Sequence, residues 1–491
     1  MDIVAYAAQK YSHNPALINE LETLSFKDLE AATGRIATVL QRHGIRKGDI
    51  VTLCMPNSAA MVLVLLSLLR TGSVAAPLNY RFPGSRLQTL FPLLKSSALI
   101  GPQSLTDKLT HHAKLTPEEI LAESNTHKQI VSEKEPAQKQ PAERFNDSKN
   151  QQLDSPPAQQ LRKPVTVIHT SSSSGLPKAA LHSFANHYYN ALGSNENLPF
   201  GPGDIWLLSL PLFHIGGYAM LFRSLLGGGA LVVPEPGTLI QDTLCRFHLS
   251  HLSLVPTQLY RLINDEKTLK KLQDFKVILL GGSTVEPALL EEASKAELPV
   301  YLTYGSTEMS SQITTTSGPV STIGAGKVLP YRELSIDKES EILVKGPCLF
   351  QGYLSERGPM LKTDASGWFH TGDTGEMSPD GELLVTGRTD NMFISGGENI
   401  HPEEIERALC SFEGVRRAIV VPVDDPEYGF RPSAFIEVTG KALTDDEIKA
   451  SLSSKTGKLK TPETITRIEQ WRLLPGTEKI DRGYYKRMVD E

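Results

Sequence analysis

Cysteine is scarce in this chain. The 491 residues hold four, Cys54, Cys245, Cys348 and Cys410, far apart and without a CxxC pair. That spacing excludes a disulfide framework and a zinc ribbon, fits a reducing compartment, and makes each thiol a small buried apolar residue by default. Long apolar runs are missing as well. The most apolar stretch, MVLVLLSLL at 61–69, is far short of the ~20 residues that span a bilayer and reads as a buried helix. No excess of positive charge exists: 50 Lys and Arg stand against 56 Asp and Glu, a formal net charge of −6. Nucleic acid is therefore not an expected partner. The first residues, MDIVAYAAQKYSHNPALI, lack a basic segment followed by an apolar one, and the last, KRMVDE, carry no SKL-type address. A cytoplasmic protein without membrane insertion is the expectation.

What is present suits a globular protein of two to four domains, with 40% hydrophobic and 22% charged residues. Strand-like runs at 49–55, 165–170, 205–211, 230–235, 276–282 and 300–305 alternate with helical text such as 58–72. This alternation predicts an α/β fold with largely parallel sheets. From about 340 short alternating strands between Gly and Asp turns predict a barrel-like or meander region. A new unit follows GRTDN: a helix at 401–412, strands at 416–423 and 431–440, a helix at 443–455 and a strand over 464–475. The reading is a large N-terminal domain, 1–389, of mixed sheets plus the barrel-like subdomain, and a small α+β C-terminal domain, 390–491. Residues 132–163, rich in Pro, Gln, Lys and Glu, read as a polar linker.

Four stretches carry chemistry. In HTSSSSGLPKAALH (169–182) a strand runs into a hydroxyl-rich turn ending at Gly175, Pro177 and Lys178. Hydroxyls, backbone N–H groups and a lysine charge together suit nucleotide phosphates, although the Walker A spacing is absent and a plain Ser-rich loop is the alternative. In YGSTEM (304–309) an acid beside Thr307 can hold Mg²⁺ through oxygen, unless Ser306 or Thr307 merely caps a helix. In 367–406 Asp373 sits in a Gly-flanked turn, where a carboxylate can accept hydrogen bonds from a ribose diol. Arg388 follows a strand there, and Gly396 and Gly397 permit close backbone approach. Near the end, Lys479 is a candidate catalytic lysine in LLPGTEKIDRGYYKR.

In this order the four stretches resemble the adenylate-forming superfamily of acyl-CoA synthetases, peptide-synthetase adenylation domains and firefly-type luciferases. The likeness runs from LSFKDLEAATGRIATVL (24–40) to Lys479. It implies ATP and Mg²⁺ bound between a large domain and a small mobile one, with coenzyme A as co-substrate. By that resemblance Thr170, Ser171, Ser172, Ser173, Ser174, Gly175 and Lys178 form the phosphate loop. Gly281, Gly282, Ser283, Tyr304 and Gly305 wall the adenine and acyl sites. Thr307 and Glu308 meet phosphate and Mg²⁺, Asp373 and Arg388 meet ribose, Asp390 is the hinge and Gly397 lines the coenzyme A tunnel. Lys479 bridges carboxylate and α-phosphate. Two departures stand out: Ser172 and Glu478 replace glycines usual in the family, and Ser174 replaces a threonine.

The segment SLPLFHIGGYAMLFRSLLGGGALVV (209–233) bears on the acid. Amino-acid-activating relatives place Asp where His214 stands, so an amino acid is not the expected substrate; His214 is a candidate catalytic and acid-binding residue, with a core histidine as the plainer alternative. Arg223 interrupts apolar helical text; if buried it needs a partner, and an exposed face is the alternative. The PLFH…R spacing, with HLSLVPTQLYRL (251–262) and VVPVDDPEYGFRPSAF (420–435), resembles ligases for o-succinylbenzoate, an aromatic acid with a second carboxylate that Arg223 can hold. SGGENIHPEEIE also resembles ligases for simple benzoates such as 4-chlorobenzoate. An oxygenase like the luciferases, or a binder without catalysis, belongs to other classes. The expected partners are small molecules, and a homodimer is compatible with the sequence.

Overall fold

The computed structural model describes residues 2–82, 84–106, 113–132, 158–170, 178–320, 323–440, 443–474 and 480–490. Ser171 to Pro177, most of the polar linker and Lys479 lie outside the described residues.

Two large sheets form the N-terminal part. The first runs, in spatial order, Lys327–Val328, Ser311–Thr315, Val300–Ser306, Val277–Leu280, His251–Leu254, Ile205–Leu207, Ala230–Val232, Pro15–Ile18 and Thr23–Ser25. Its middle is parallel, from Val300–Ser306 through Pro15–Ile18, and an antiparallel pairing closes each end. In the second, Pro164–His169 pairs parallel with Val74–Pro77 and antiparallel with Ala179–Ser183. Helices Ala59–Thr71, Phe184–Asn197 and Ile215–Gly227 share one core with strands of both sheets. The helix Ala59–Thr71 is capped by Ser58 and stopped by Gly72 at φ 76°, with nine of its residues buried. It is the apolar run of the sequence, and it is buried because nearly every face is hydrocarbon. Large side chains such as Leu65, Trp206 and Phe222 are fully covered, each contributing roughly 1.5–3 kcal/mol.

A third, antiparallel sheet holds Glu333–Ile336, Glu341–Lys345, Phe369–Met377 and Leu383–Arg388. Its inner side chains pack with Met309 and Ile313 of the first sheet and Ala180 of the second. It is thus pinned over the edge where the two large sheets meet. The strand Gly352–Ser355, expected to belong to this region, joins the second sheet through Tyr353 opposite Ala180.

The small C-terminal domain wraps Pro402–Cys410 and Asp445–Thr456 onto a sheet built around Val415–Asp425 and Gly429–Val438, with its own core of Ile405, Leu409, Val420, Ile436 and Ile448. The strand expected over 464–475 ends at Arg467. Beyond it Trp471 donates Nε1 to Glu437 at 2.6 Å and the Arg472 amide donates to the Tyr485 hydroxyl at 2.8 Å. These bonds turn the chain off the ladder. At the end of the expected linker, Ala158–Leu161 form a single helical turn. Among the described residues no helix is long and apolar enough to cross a membrane.

Candidate active site

The Thr170 amide donates to the Lys178 carbonyl at 2.9 Å, which holds together the two described residues that flank positions 171–177 at the edge of the second sheet. The Lys178 ammonium lies 5.1 Å from the centre of the Tyr353 ring. The Tyr353 hydroxyl donates to a carboxylate oxygen of Glu308 at 2.5 Å. A lysine, a tyrosine and an acid from three separated segments therefore stand in a row.

Thr307 and Glu308 occupy the turn of a hairpin, not a helix start. The Met309 amide donates to Ser306 Oγ at 3.2 Å and the Ser310 amide to the Thr307 carbonyl at 3.0 Å, after which the chain returns as Ser311–Thr315. Ser310 and Ser311 adopt positive φ, 59° and 120°. The reversal demands glycine at 305, because a Cβ there would lie 2.1 Å from the Ser311 carbonyl oxygen. His182, fully buried, faces the Thr307 carbonyl at 2.7 Å and braces the turn from below. Glu308 and Thr307 offer hard oxygen donors, the chemistry Mg²⁺ selects. One Glu308 oxygen already takes the Tyr353 hydroxyl, and a carboxylate has lone pairs for more.

The third sheet brings Asp373 to the same place. Its carboxylate accepts from the Tyr304 hydroxyl at 2.7 Å through one oxygen and from Arg388 Nη1 at 2.7 Å through the other. Burial pushes the Asp373 carboxyl above its usual range, and Arg388 pulls it back only in part. Burial and the adjacent Asp373 charge likewise raise the Tyr304 phenol well above its ordinary value. Burial works against the Arg388 charge, but hydrogen bonds to Asp390 and the charge of Asp373 more than offset it. Arg388 Nε and Nη2 also hold Asp390, at 2.7 and 3.2 Å. The residue read as the hinge is thereby tied to those read as ribose contacts.

On the acid side, Gly281 accepts no side chain: a Cβ would meet Thr303 at 2.7 Å. Gly282 has φ +86°, and Ser283 is exposed beside it. His214 is half-buried at the start of helix Ile215–Gly227, where its carbonyl accepts from Gly217 and Tyr218. Arg223 is 1% exposed, which removes the reading of an arginine on an open face. Nη2 donates to Ser311 Oγ at 3.3 Å, Nη1 meets the Met220 sulfur at 3.7 Å, and the guanidinium lies 5.8 Å from the Trp206 ring centre. Nε has no partner. Among the described residues no carboxylate reaches Arg223; burial and the charge of Arg332 lower its pKa to about 9. This cation, unmatched by any anion among the described residues, abuts the strand Ser311–Thr315, the return half of the hairpin that carries Thr307 and Glu308.

In the small domain Gly397 is exposed with φ +86° and nothing within 4 Å of a Cβ. The structure therefore gathers Lys178, Tyr304, Glu308, Asp373 and Arg388, with Arg223 behind the hairpin, and leaves Gly397 apart on the small domain. Sequence reasoning missed Tyr353 and His182. Both were in view, in QGYLS and AALHS, but their partners Glu308 and Thr307 are 45 and 125 residues away.

A large α/β domain and a small α+β one, with Lys178, Tyr304, Glu308, Asp373 and Arg388 gathered on the first, suit an enzyme that activates its substrate with a nucleotide. The chain belongs to the AMP-binding enzyme family, which matches residues 4–354, and the AMP-binding enzyme C-terminal domain matches 404–479. It is 30% identical over 485 residues to the 2-succinylbenzoate–CoA ligase of Geobacillus sp. (strain WCH70), covering 95% of this chain and 92% of that one. With the 2-succinylbenzoate–CoA ligase of Salmonella typhimurium identity is 33% over 434 residues, covering 88% and 86%. The o-succinylbenzoate CoA synthetase of Bacillus subtilis, in complex with its acyl-adenylate intermediate, superposes with a TM-score of 0.82 at 28% identity, covering 99% and 98%.

Proposed function

We propose that this chain is the AMP-forming ligase that joins 2-succinylbenzoate to coenzyme A. A carboxylate is a poor acyl donor because its leaving group would be an oxide. Attack of a carboxylate oxygen on the α-phosphorus of ATP forms the acyl-adenylate and breaks the bond to pyrophosphate. The thiol sulfur of coenzyme A then attacks the acyl carbon, and AMP leaves. The first step brings two anions together, so positive groups must face them.

In this reading the loop from Thr170 to Lys178 cradles the phosphates, and Lys178 faces them from above the Tyr353 ring. Thr307 and Glu308 would hold Mg²⁺, whose charge neutralises the phosphates when bound. Asp373 and Arg388 take the ribose, with Tyr304, Gly281, Gly282 and Ser283 as the wall. Lys479 spans the carboxylate and α-phosphate during the first step. The domain boundary falls near 389–390, and Asp390 as hinge lets the small domain present Lys479 first and the Gly397 segment second. The four free thiols, Cys54 and Cys348 among them buried, support a cytoplasmic setting. All these roles fall on one chain.

The single observation that carries the acid is Arg223, a fully buried guanidinium that no carboxylate among the described residues reaches, set against the hairpin that carries Thr307 and Glu308. The ring carboxylate of 2-succinylbenzoate supplies the missing charge. Arg223→Ala is expected to lower kcat/KM for 2-succinylbenzoate about 10- to 150-fold, the weight of a charge-assisted hydrogen bond of roughly 1.5–3 kcal/mol. KM for ATP should change little, and an analogue without the ring carboxylate, poor for the wild type, should be barely affected. Parallel losses for both acids would point to a simple benzoate as substrate and to a structural arginine.

A further inference from the structure

Asp373 pairs with Arg388 on one side of its strand, but the other side, toward Glu341–Lys345, is irregular. Along the pairing of Glu341–Lys345 with Phe369–Met377, Leu343 faces His370 and Glu341 faces Thr374. Two steps on one strand thus oppose four on the other, and Thr371, Gly372 and Asp373 bulge out of the ladder. A bulge leaves amides without ladder partners, and a side chain must satisfy them. Glu341 does so: its Oε1 accepts from the Gly372 amide at 2.8 Å. Its Oε2 meets His370 Nδ1 at 2.8 Å, which fixes the carboxylate plane. The Thr371 hydroxyl donates to the Ile342 carbonyl at 2.7 Å and accepts from the Asp373 amide at 3.1 Å. Gly372 has φ +74°, and a Cβ there would sit 3.0 Å from Arg388 Nη2.

We propose that Glu341 is a positioning residue of the nucleotide site, holding the 371–373 bulge so that Asp373 meets Tyr304, Arg388 and the ribose. The proposal rests on the reading of Asp373 as the ribose contact. Asp337, Glu341 and His370 do bring three ligand atoms within 4.8 Å of one another. That cluster is accounted for without a metal. Asp337 Oδ1 accepts from the Glu339 and Glu341 amides, and both Glu341 oxygens are engaged by Gly372 and His370. The Glu341 side chain is 16% exposed against 47% for His370. The carboxylate is therefore the inner member of the pair, with the imidazole as its outer brace.

Steady-state kinetics on four full-length variants test this. Glu341→Ala should raise KM for ATP about 10-fold, the effect of one lost hydrogen bond to a charged group, with kcat and the KM values for acid and coenzyme A within about 3-fold of wild type. Glu341→Gln keeps an acceptor for the Gly372 amide and should restore KM for ATP to within about 3-fold, which a loss of bulk packing would not predict. His370→Ala, leaving that acceptor in place, should behave like Glu341→Gln. Asp373→Ala is the control: if it leaves KM for ATP unchanged, the ribose reading itself fails. If Asp373→Ala weakens ATP but Glu341→Ala does not, or if Glu341→Gln is as impaired as Glu341→Ala, the positioning role is overturned. Uniform losses for all three substrates in Glu341→Ala, with a lowered melting temperature, also overturn it.

Discussion

At the scale of single residues, the site is an exercise in compensating burial. Burial disfavours the charged forms of Asp373 and Tyr304, and the adjacent Arg388 offsets it in part for Asp373. One more cation, Lys479, is proposed to act where carboxylate meets phosphate. Lys479→Ala is expected to slow adenylation about 10²–10³-fold while leaving thioester formation from preformed acyl-adenylate largely intact. Single-turnover measurement of each half-reaction checks this, and equal losses in both would remove Lys479 from the first step. Of these residues, the ones in short motifs were legible: Asp373 between glycines, Arg388 after its strand, Glu308 after Thr307. Tyr353 was not, because its importance comes from standing under Lys178 and against Glu308, and nothing in QGYLS announces either neighbour. Arg223 was visible as a charge in apolar text, whereas its lack of any carboxylate is a property of the folded core alone.

At the scale of elements, alternation of strand and helix was legible wherever burial is two-sided, as in Val277–Leu280 and Pro164–His169, because such strands are short apolar runs between turns. It failed at 464–475, where Trp471 looks like a strand residue but spends its indole N–H on Glu437. The hairpin carrying Thr307 and Glu308 was equally hidden. Helix capping and hairpin turning use the same Ser, Thr and Gly vocabulary, and only the close approach of Gly305 to Ser311 decides between them. This gives a direct test. Gly305→Ala should force the hairpin open, costing about 3 kcal/mol as strain at a closely packed turn. Urea unfolding should show a lower midpoint at unchanged slope, with activity reduced even where the protein is folded. An unchanged midpoint would mean that the hairpin does not approach this closely.

For the molecule as a whole, three buried histidines set a limit on acid tolerance. Burial lowers His182 from 6.5 to about 4 and His251 from 6.5 to about 4, and depresses His187 well below 6.5. The unfolded chain therefore binds more protons than the folded one between about 6.5 and 4. The stability these groups provide is complete above pH 6.5 and drains away as pH falls, at up to about 1.4 kcal/mol per unit for each. Melting temperature should decline already between pH 6.5 and 5, where ordinary carboxylates are still ionised. A flat profile down to pH 5 would show that these imidazoles are not held neutral. Arg223 has a thermodynamic meaning at the same scale. A guanidinium that no carboxylate of the described residues reaches weakens the core as well as marking a candidate binding site. On the role proposed for Arg223, the ring carboxylate of the acid offsets that charge, so recognition and folding draw on the same free energy. Ligand present at about 100 times its Kd adds roughly 2.7 kcal/mol to the folded state. On the same role an acid lacking the second carboxylate should raise the melting temperature less, which thermal unfolding in the presence of each acid checks.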